Sequence, residues 1–240
     1  MLMLQLIIQL FIEGRLIRYH LLIENVAVAP ARQGRGLERV VVLTDDRRIQ
    51  EAVEAFGGEC EMTPADCRTG TDRIAWAARK WAATGIVNVQ GDEPLLDPDT
   101  VSAIATHLIE SPEDPMVTFA STGRPEDLAN PDLVKVVVDR SGRALYFSRA
   151  GVPFSRGGEP GPVLCHVGLY GYQREALLEL ADLDSTPLEI SESLEQLRAP
   201  EHGMTIRVLH TDHRAIGVDT EEDLCRVEEM ILAAERDGGR

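Results

Sequence analysis

The sequence predicts an α/β fold: a mostly parallel, doubly wound sheet with a smaller hairpin-containing subdomain. Three observations carry that reading. Short β-branched runs alternate with stretches of helical spacing from Arg39 to Ala120, the order that builds parallel sheets. Those runs are apolar on both sides of the pleat, as strands covered by helices on both faces must be. From Leu133 onward the pattern changes to two β-rich runs flanking Arg140-Ser141-Gly142-Arg143, a hairpin signal.

Residues 1–11 are apolar, and periodicity leaves strand and helix both open. Residues 39–44 (RVVVLT) read as a buried strand leaving through Asp45-Asp46. Residues 48–56 have helical spacing at Ile49, Val53 and Phe56, stopped by Gly57-Gly58. A short strand at 59–62, a helix at 71–83 and a buried strand at 86–90 come next. Residues 98–109 form a helix with Asp97 as N-cap and Pro98 at the first position. A strand at 116–120 precedes the hairpin of 133–139 and 144–148. The Gly/Pro-rich stretch 157–162 is a loop. Residues 163–172 read as a strand, 175–181 and 187–197 as helices, 205–210 as a strand and 220–235 as the last helix. With no internal repeat or low-complexity linker, residues 1–240 are expected to form a single domain. Residues 133–172, approximately, form its subdomain.

Composition narrows the function classes. The net charge is −16, which is the opposite of a nucleic-acid footprint. An acidic protein that binds an anionic substrate needs local cations or a metal ion. Cys60, Cys67, Cys165 and Cys225 form no C-x-x-C pair, which points to reduced thiols and a cytoplasmic setting. The apolar start is too short to cross a bilayer and lacks signal-peptide features, so no membrane association is expected.

Four groups of residues carry candidate chemistry. Residues 86–90 run into Gly91-Asp92-Glu93-Pro94, a strand end delivering an acid to the edge where α/β sheets bind ligands. Gly217-Val218-Asp219 stands before the last helix, where an acid also favours a helix start. Asp92 and Asp219 together could hold one Mg²⁺, which prefers a carboxylate or two plus substrate phosphates. The loop Arg68-Thr69-Gly70-Thr71-Asp72-Arg73 offers backbone N–H groups and hydroxyls at a helix start. It also reads as a simple helix cap through Thr69 or Thr71. The last group is Arg149, His166, Tyr170, Tyr172, Glu189, Glu192 and Gln196. Strand alternation puts His166, Tyr170 and Tyr172 on one face, and Glu189, Glu192 and Gln196 share a helix face. Such a set suits a polyhydroxylated acid, with Arg149 for the carboxylate.

The segments NVQGDEP (88–94), RTGTDR (68–73), LVKVVVD (133–139), ALYFSRA (144–150), HVGLYGY (166–172), PLEISESLEQLR (187–198) and GVDTEEDL (217–224) resemble the 3-deoxy-manno-octulosonate (Kdo) cytidylyltransferases in wording, order and spacing. The resemblance implies a nucleotidyltransferase-like fold, a homodimer and a reaction. CTP and Kdo give CMP-Kdo and pyrophosphate, for lipopolysaccharide synthesis. It also implies site roles. Asp92 and Asp219 match the Mg²⁺-binding, catalytic acids. Gly70, Thr71 and Arg73 match the nucleotide-contacting loop. Gln90, Arg149, His166, Tyr170, Glu189, Glu192 and Gln196 match positions around the sugar acid.

One departure stands out. Members of that family begin with a strand and a basic loop, P-A-R-x-x-S-x-R-[LF]-P-G-K, that wraps the triphosphate. Here Pro30-Ala31-Arg32 runs straight into Gln33-Gly34-Arg35-Gly36 and the RVVVLT strand. Two placements fit. Residues 26–32 could be the first strand, with the family's basic loop and first helix deleted. Alternatively Gly14-Arg15-Leu16-Ile17 is the family's G-K-P-[LM]-[IV] turn, and residues 1–13 replace the strand and loop, which preserves more of the fold. The departure keeps two alternatives open: a non-catalytic or weakly active relative, and an enzyme for a related acid such as 8-amino-Kdo.

Overall fold

The computed structural model describes residues 4–9, 36–67, 69–90, 97–157, 161–212, 225–227 and 229–230. Its elements are β1 (Leu4–Gln9), β2 (Arg39–Thr44), α1 (Arg47–Ala55), β3 (Cys60–Met62), α2 (Gly70–Ala78), β4 (Gly85–Gln90), α3 (Pro98–Glu110) and β5 (Met116–Thr122). After these come β6 (Lys135–Val138), β7 (Ala144–Ser148), β8 (Leu164–Gln173), α4 (Arg174–Asp182), α5 (Pro187–Glu192), α6 (Arg198–Glu201) and β9 (Ile206–Thr211).

β1 settles the open reading of the first residues. It is a strand, parallel to β2 on one side and to β4 on the other. It therefore fills the first-strand position, as the placement that starts the helical turn at Gly14 requires. The alternative strand at 26–32 lies outside the described residues.

The main path of the sheet runs β3-β2-β1-β4-β8-β5-β9. β3, β2, β1 and β4 are mutually parallel, as are β5 and β9. β8 is the exception, inserted antiparallel between β4 and β5. The chain leaves β5 at Thr122, and Leu164 stands opposite that residue. β8 thus starts at the carboxyl edge and can only run down. β6 and β7 form the expected antiparallel hairpin, which joins the sheet where Lys135 pairs with Cys165.

Alternation along the strands builds two cores. Val42, Val87, Val89, Val117, Phe119, Val167 and Leu169 pack against Ile49 and Val53 of α1 and Val101, Ile104 and Leu108 of α3. Val41, Leu43, Ile86, Tyr170 and Tyr172 pack on the opposite face against Ile74 of α2, Leu177 of α4, and Val136 and Phe147 of the hairpin. Both faces are covered, so the strands read as continuous apolar runs. Gly171 lets α3 approach the sheet closely. A Cβ there would stand 2.5 Å from Ile104 Cγ2 and 2.7 Å from Val117 Cγ1.

Two helices differ from expectation. α2 stops at Ala78 instead of reaching residue 83. Past its end the Trp81 indole turns to donate to Glu61 Oε2 at 3.2 Å, and Lys80 Nζ reaches Glu61 Oε1 at 3.2 Å. The stretch 187–197 is not one helix. α5 ends at Ser193, which takes a left-handed conformation (φ 53°), and a 3₁₀ turn comes next at Glu195–Leu197. The break lets Leu194 drop into the core. Among the described residues, no helix is long and apolar enough to cross a membrane.

Candidate active site

The carboxyl ends of β4, β5 and β9 lie on one edge of the sheet, because β4 and β5 both oppose β8 and β9 parallels β5. The acid motifs come after two of these ends: Asp92 is two residues past Gln90, and Asp219 eight residues past Thr211. Both acids lie outside the described residues. Gln90 ends β4. It shares the parity of Ile86 and so faces the same side as Tyr170 and Tyr172.

The nucleotide-loop candidates open α2. The Thr69 hydroxyl accepts from the Asp72 backbone N–H at 3.1 Å, which makes Thr69 the N-cap. Gly70 is the first helical residue, and Thr71 is buried. Arg73 is almost wholly buried and turned inward. Nη1 donates to the Thr63 hydroxyl, and Nη2 lies 3.4 Å from Asp45 Oδ1. It braces the exits of β2 and β3 against α2.

The second-half candidates separate into two groups. On β8, His166 and Tyr170 lie with ring centroids 5.2 Å apart, and Tyr170 stacks on Tyr172 at 6.0 Å. The Phe147 ring meets His166 edge-on at 5.2 Å. One face therefore carries all three, as alternation requires, even though β8 bulges between Val167 and Tyr170. Burial pushes the His166 imidazole down to about 3 and the Tyr172 phenol up.

The other group joins β7 to α5. Glu192 Oε2 accepts from the Arg149 backbone N–H at 2.9 Å, and Oε1 accepts from Ser148 Oγ at 2.7 Å and Tyr146 OH at 3.1 Å. Burial alone would raise this carboxyl, but the three donors hold it below the usual range. The Arg149 side chain donates from Nε to the Glu192 carbonyl at 2.9 Å and from Nη1 to the Pro131 carbonyl at 3.2 Å.

Glu189 does not share a helix face with Gln196, because the break at Ser193 intervenes. Its carboxylate accepts from the Thr186 N–H at 3.1 Å, which closes a capping box, and from Arg198 Nε at 2.9 Å. Gln196 is buried on the 3₁₀ turn. Next to it, burial raises the Glu195 carboxyl against the pull of Thr69, Arg198 and Thr71. Glu195 thus lies between the nucleotide-loop candidates and the α5–α6 segment.

Sequence reasoning passed over two residues of this region. Lys135 is fully buried, and its ammonium donates to the carbonyls of Asn130 (2.7 Å), Leu133 (2.6 Å) and Arg149 (2.6 Å). The signal was a lone Lys in an otherwise apolar strand. Thr118, also fully buried, lies 2.9 Å from His166 Nε2. Its signal was a hydroxyl inside the β5 run.

A mostly parallel sheet of this order, with Gln90 at the carboxyl end of β4 and His166 and Tyr170 on the strand beside it, fits the nucleotidyltransferase class. The sequence profile of the cytidylyltransferase family matches residues 15–206. A 3-deoxy-manno-octulosonate cytidylyltransferase of Pelobacter propionicus is 47% identical over 209 residues, covering 82% of each chain. That of Geobacter sulfurreducens is 46% identical over 222 residues, covering 88% of each. The solved structure of a CMP:2-keto-3-deoxy-manno-octonic acid synthetase complexed with CTP superposes with a TM-score of 0.87 at 33% identity, over 97% of this chain and 99% of the other. A glucose-1-phosphate thymidylyltransferase from Bacillus anthracis shares the fold alone, with a TM-score of 0.66 at 13% identity. The chain belongs to the 3-deoxy-manno-octulosonate cytidylyltransferase family.

Proposed function

We propose that this protein transfers the cytidylyl group of CTP to 3-deoxy-manno-octulosonate, giving CMP-Kdo and pyrophosphate. One observation carries the reading: 46–48% identity to enzymes named for that reaction, across more than four-fifths of the chain. The sugar's anomeric hydroxyl attacks the α-phosphorus and pyrophosphate leaves. Gly70, Thr71 and the Arg73 backbone receive the nucleotide at the start of α2. Arg149 takes the sugar carboxylate, while Gln90, His166, Tyr170, Glu192 and Gln196 line the sugar side. Glu189 acts through Arg198, holding α5 in place.

Asp92 and Asp219 are the metal ligands in this reading, and their donor chemistry suits Mg²⁺. β4 and β9 are separated by β8 and β5, a span of about 14 Å at ordinary strand spacing. The eight-residue step from Thr211 to Asp219 can cover up to about 26 Å, so the second acid can reach the first. Mg²⁺ bound there would neutralise phosphate charge and orient the attacking oxygen.

In this reading residues 1–240 act as one unit, and residues 133–172 carry the hairpin, sugar-side and dimer contacts. The homodimer follows from the family resemblance, and Leu145 (63% exposed) and Phe154 (87%) in that segment are exposed large apolar side chains, as is Ile190 (68%) on α5. Each is an apolar side chain that a partner subunit could cover, and light scattering that finds a stable monomer would remove that assignment. The cytoplasm suits its four free thiols. Pyrophosphate release measured with CTP, Mg²⁺ and Kdo tests the reaction. Release that does not depend on Kdo, or no release from folded protein, refutes it.

A further inference from the structure

The bulge in β8 fixes the chemistry of His166. Opposite β5, Thr118 pairs with Tyr170 and Phe119 with Val167, so one step along β5 corresponds to three along β8. The Val167 and Leu169 carbonyls both turn onto the Thr118 side chain, at 3.1 and 2.9 Å from Oγ1. A hydroxyl has one proton. Donation to Nε2 would leave both carbonyl oxygens facing the hydroxyl's lone pairs, whereas donation toward the carbonyls relieves that repulsion, so the proton goes to the carbonyl side. Thr118 Oγ1 also lies 2.9 Å from His166 Nε2. With its proton committed, the hydroxyl can only accept there, and Nε2 must carry the hydrogen. In a neutral imidazole the other nitrogen, Nδ1, is then an acceptor. Neutrality comes from the surroundings: Phe147 and Tyr170 flank the ring, and burial holds it far below neutral pH.

We propose that Thr118 is a positioning residue that locks His166 as the Nε2–H tautomer, so that Nδ1 reads a hydroxyl of the sugar acid and not its carboxylate. This rests on the reading that the sugar acid binds along this face of β8, and it divides the labour there. Arg149 is the carboxylate partner, and the histidine selects for a hydrogen-bond donor. A sugar acid lacking that hydroxyl leaves the acceptor unpaired and binds more weakly.

The test is a long-range ¹H–¹⁵N spectrum of the full chain labelled at histidine, at pH 7, with His166 identified by its absence in His166→Asn. The expected spectrum has Nε2 protonated and Nδ1 not, unchanged down to about pH 5, the lower end of the range where an ordinary His titrates. Adding 3-deoxy-manno-octulosonate should shift Nδ1. Thr118→Ser keeps the hydroxyl and the tautomer. Thr118→Val mixes the tautomers and raises the sugar-acid KM roughly tenfold, the worth of one hydrogen bond, with the CTP KM unchanged. If Thr118→Val does not fold, the native and Thr118→Ser spectra still decide. An Nδ1–H tautomer or an imidazolium at pH 7 overturns the inference whatever the sugar does. The expected tautomer with an Nδ1 signal that saturating sugar acid leaves unmoved overturns the placement of the sugar on this face, and the hydroxyl-reading role with it.

Discussion

Arg149 and Glu192 grip each other by backbone and side chain in both directions. The Glu192 carboxylate accepts from the Arg149 N–H at 2.9 Å, and Arg149 Nε donates to the Glu192 carbonyl at 2.9 Å. The end of β7 and the end of α5 are therefore one unit. A guanidinium held this way is preoriented for a planar carboxylate, and little ordering is left to do on binding.

Glu192→Gln should loosen that unit. Replacing a charged acceptor of three hydrogen bonds by a neutral one weakens each of them. The expected result is a sugar-acid KM raised roughly tenfold, with stability lower by about 1–3 kcal/mol and the CTP KM unchanged. The pH dependence has a definite sign. The folded Glu192 carboxyl lies below its ordinary value, so its stabilisation is fully present above the unfolded pKa and is lost as pH falls through the folded one. The melting difference between native protein and Glu192→Gln should be constant near neutrality and narrow below about pH 4. A difference that widens there would contradict the assignment.

Lys135→Met removes the ammonium that gathers three carbonyls under the Arg149 turn. Methionine fills the space but satisfies none of them. Each buried acceptor left without a partner costs about 1–3 kcal/mol, so the loss should be roughly 3 kcal/mol or more. In a chain of this size that corresponds to a melting temperature lower by roughly 6–12 °C. Calorimetry reads it directly, and an unchanged melting temperature would show that the carbonyls find other donors.

Glu189→Gln separates the two roles that residue could have. Arg198 is buried, and its guanidinium is held chiefly by the Glu189 carboxylate, with Glu195 at 3.5 Å. Breaking a buried pair from one side typically costs about 3–5 kcal/mol. The expected outcome is a large fall in stability with a sugar-acid KM changed less than in Arg149→Ala. Native stability combined with lost sugar binding would restore Glu189 as a direct ligand.

Much of this arrangement was legible in the sequence. The β-branched runs located β2, β4 and β5, and the DRSGRA stretch (139–144) located the hairpin. Alternation along HVGLYGY placed His166, Tyr170 and Tyr172 together, and it survives the bulge because β8 gains two residues there, an even number that keeps the side chains in phase. The hidden part depends on distant partners. The antiparallel course of β8 is set by the chain leaving β5 at Thr122. Beyond the early end of α2, Trp81 is tied to Glu61, a partner 20 residues away in the chain. The break after Glu192 occurs at Ser193, with no Gly or Pro to announce its left-handed backbone. A tyrosine or carboxylate in a motif names a candidate, but which groups spend their hydrogen bonds internally, as Glu189 and Arg73 do, emerges only from packing.

The last prediction concerns the start of the chain. The cytidylyltransferase profile begins its match at residue 15, and no P-A-R-x-x-S-x-R-[LF]-P-G-K run precedes that point. In the proposed reaction two kinds of positive charge share the triphosphate. Asp92 and Asp219 would hold a metal ion that neutralises phosphate charge, and basic side chains would align the leaving pyrophosphate. Preorganised charge of the second kind is worth a large factor in rate, because it stabilises the leaving group without reorganising during the reaction. Pyrophosphate release should therefore require Mg²⁺, vanish in Asp92→Asn and in Asp219→Asn, and run slowly in the native chain. Replacing residues 1–13 by a strand leading into P-A-R-x-x-S-x-R-L-P-G-K should raise turnover and lower the CTP KM. The direction of the CTP KM is the discriminating quantity, since a graft that only improved folding would raise active enzyme without changing it. Equal turnover and equal KM in the two chains would mean that Arg15, Arg18, Arg32 and Arg35 already supply the clamp. Their substitution by alanine would then abolish the activity that the graft failed to improve.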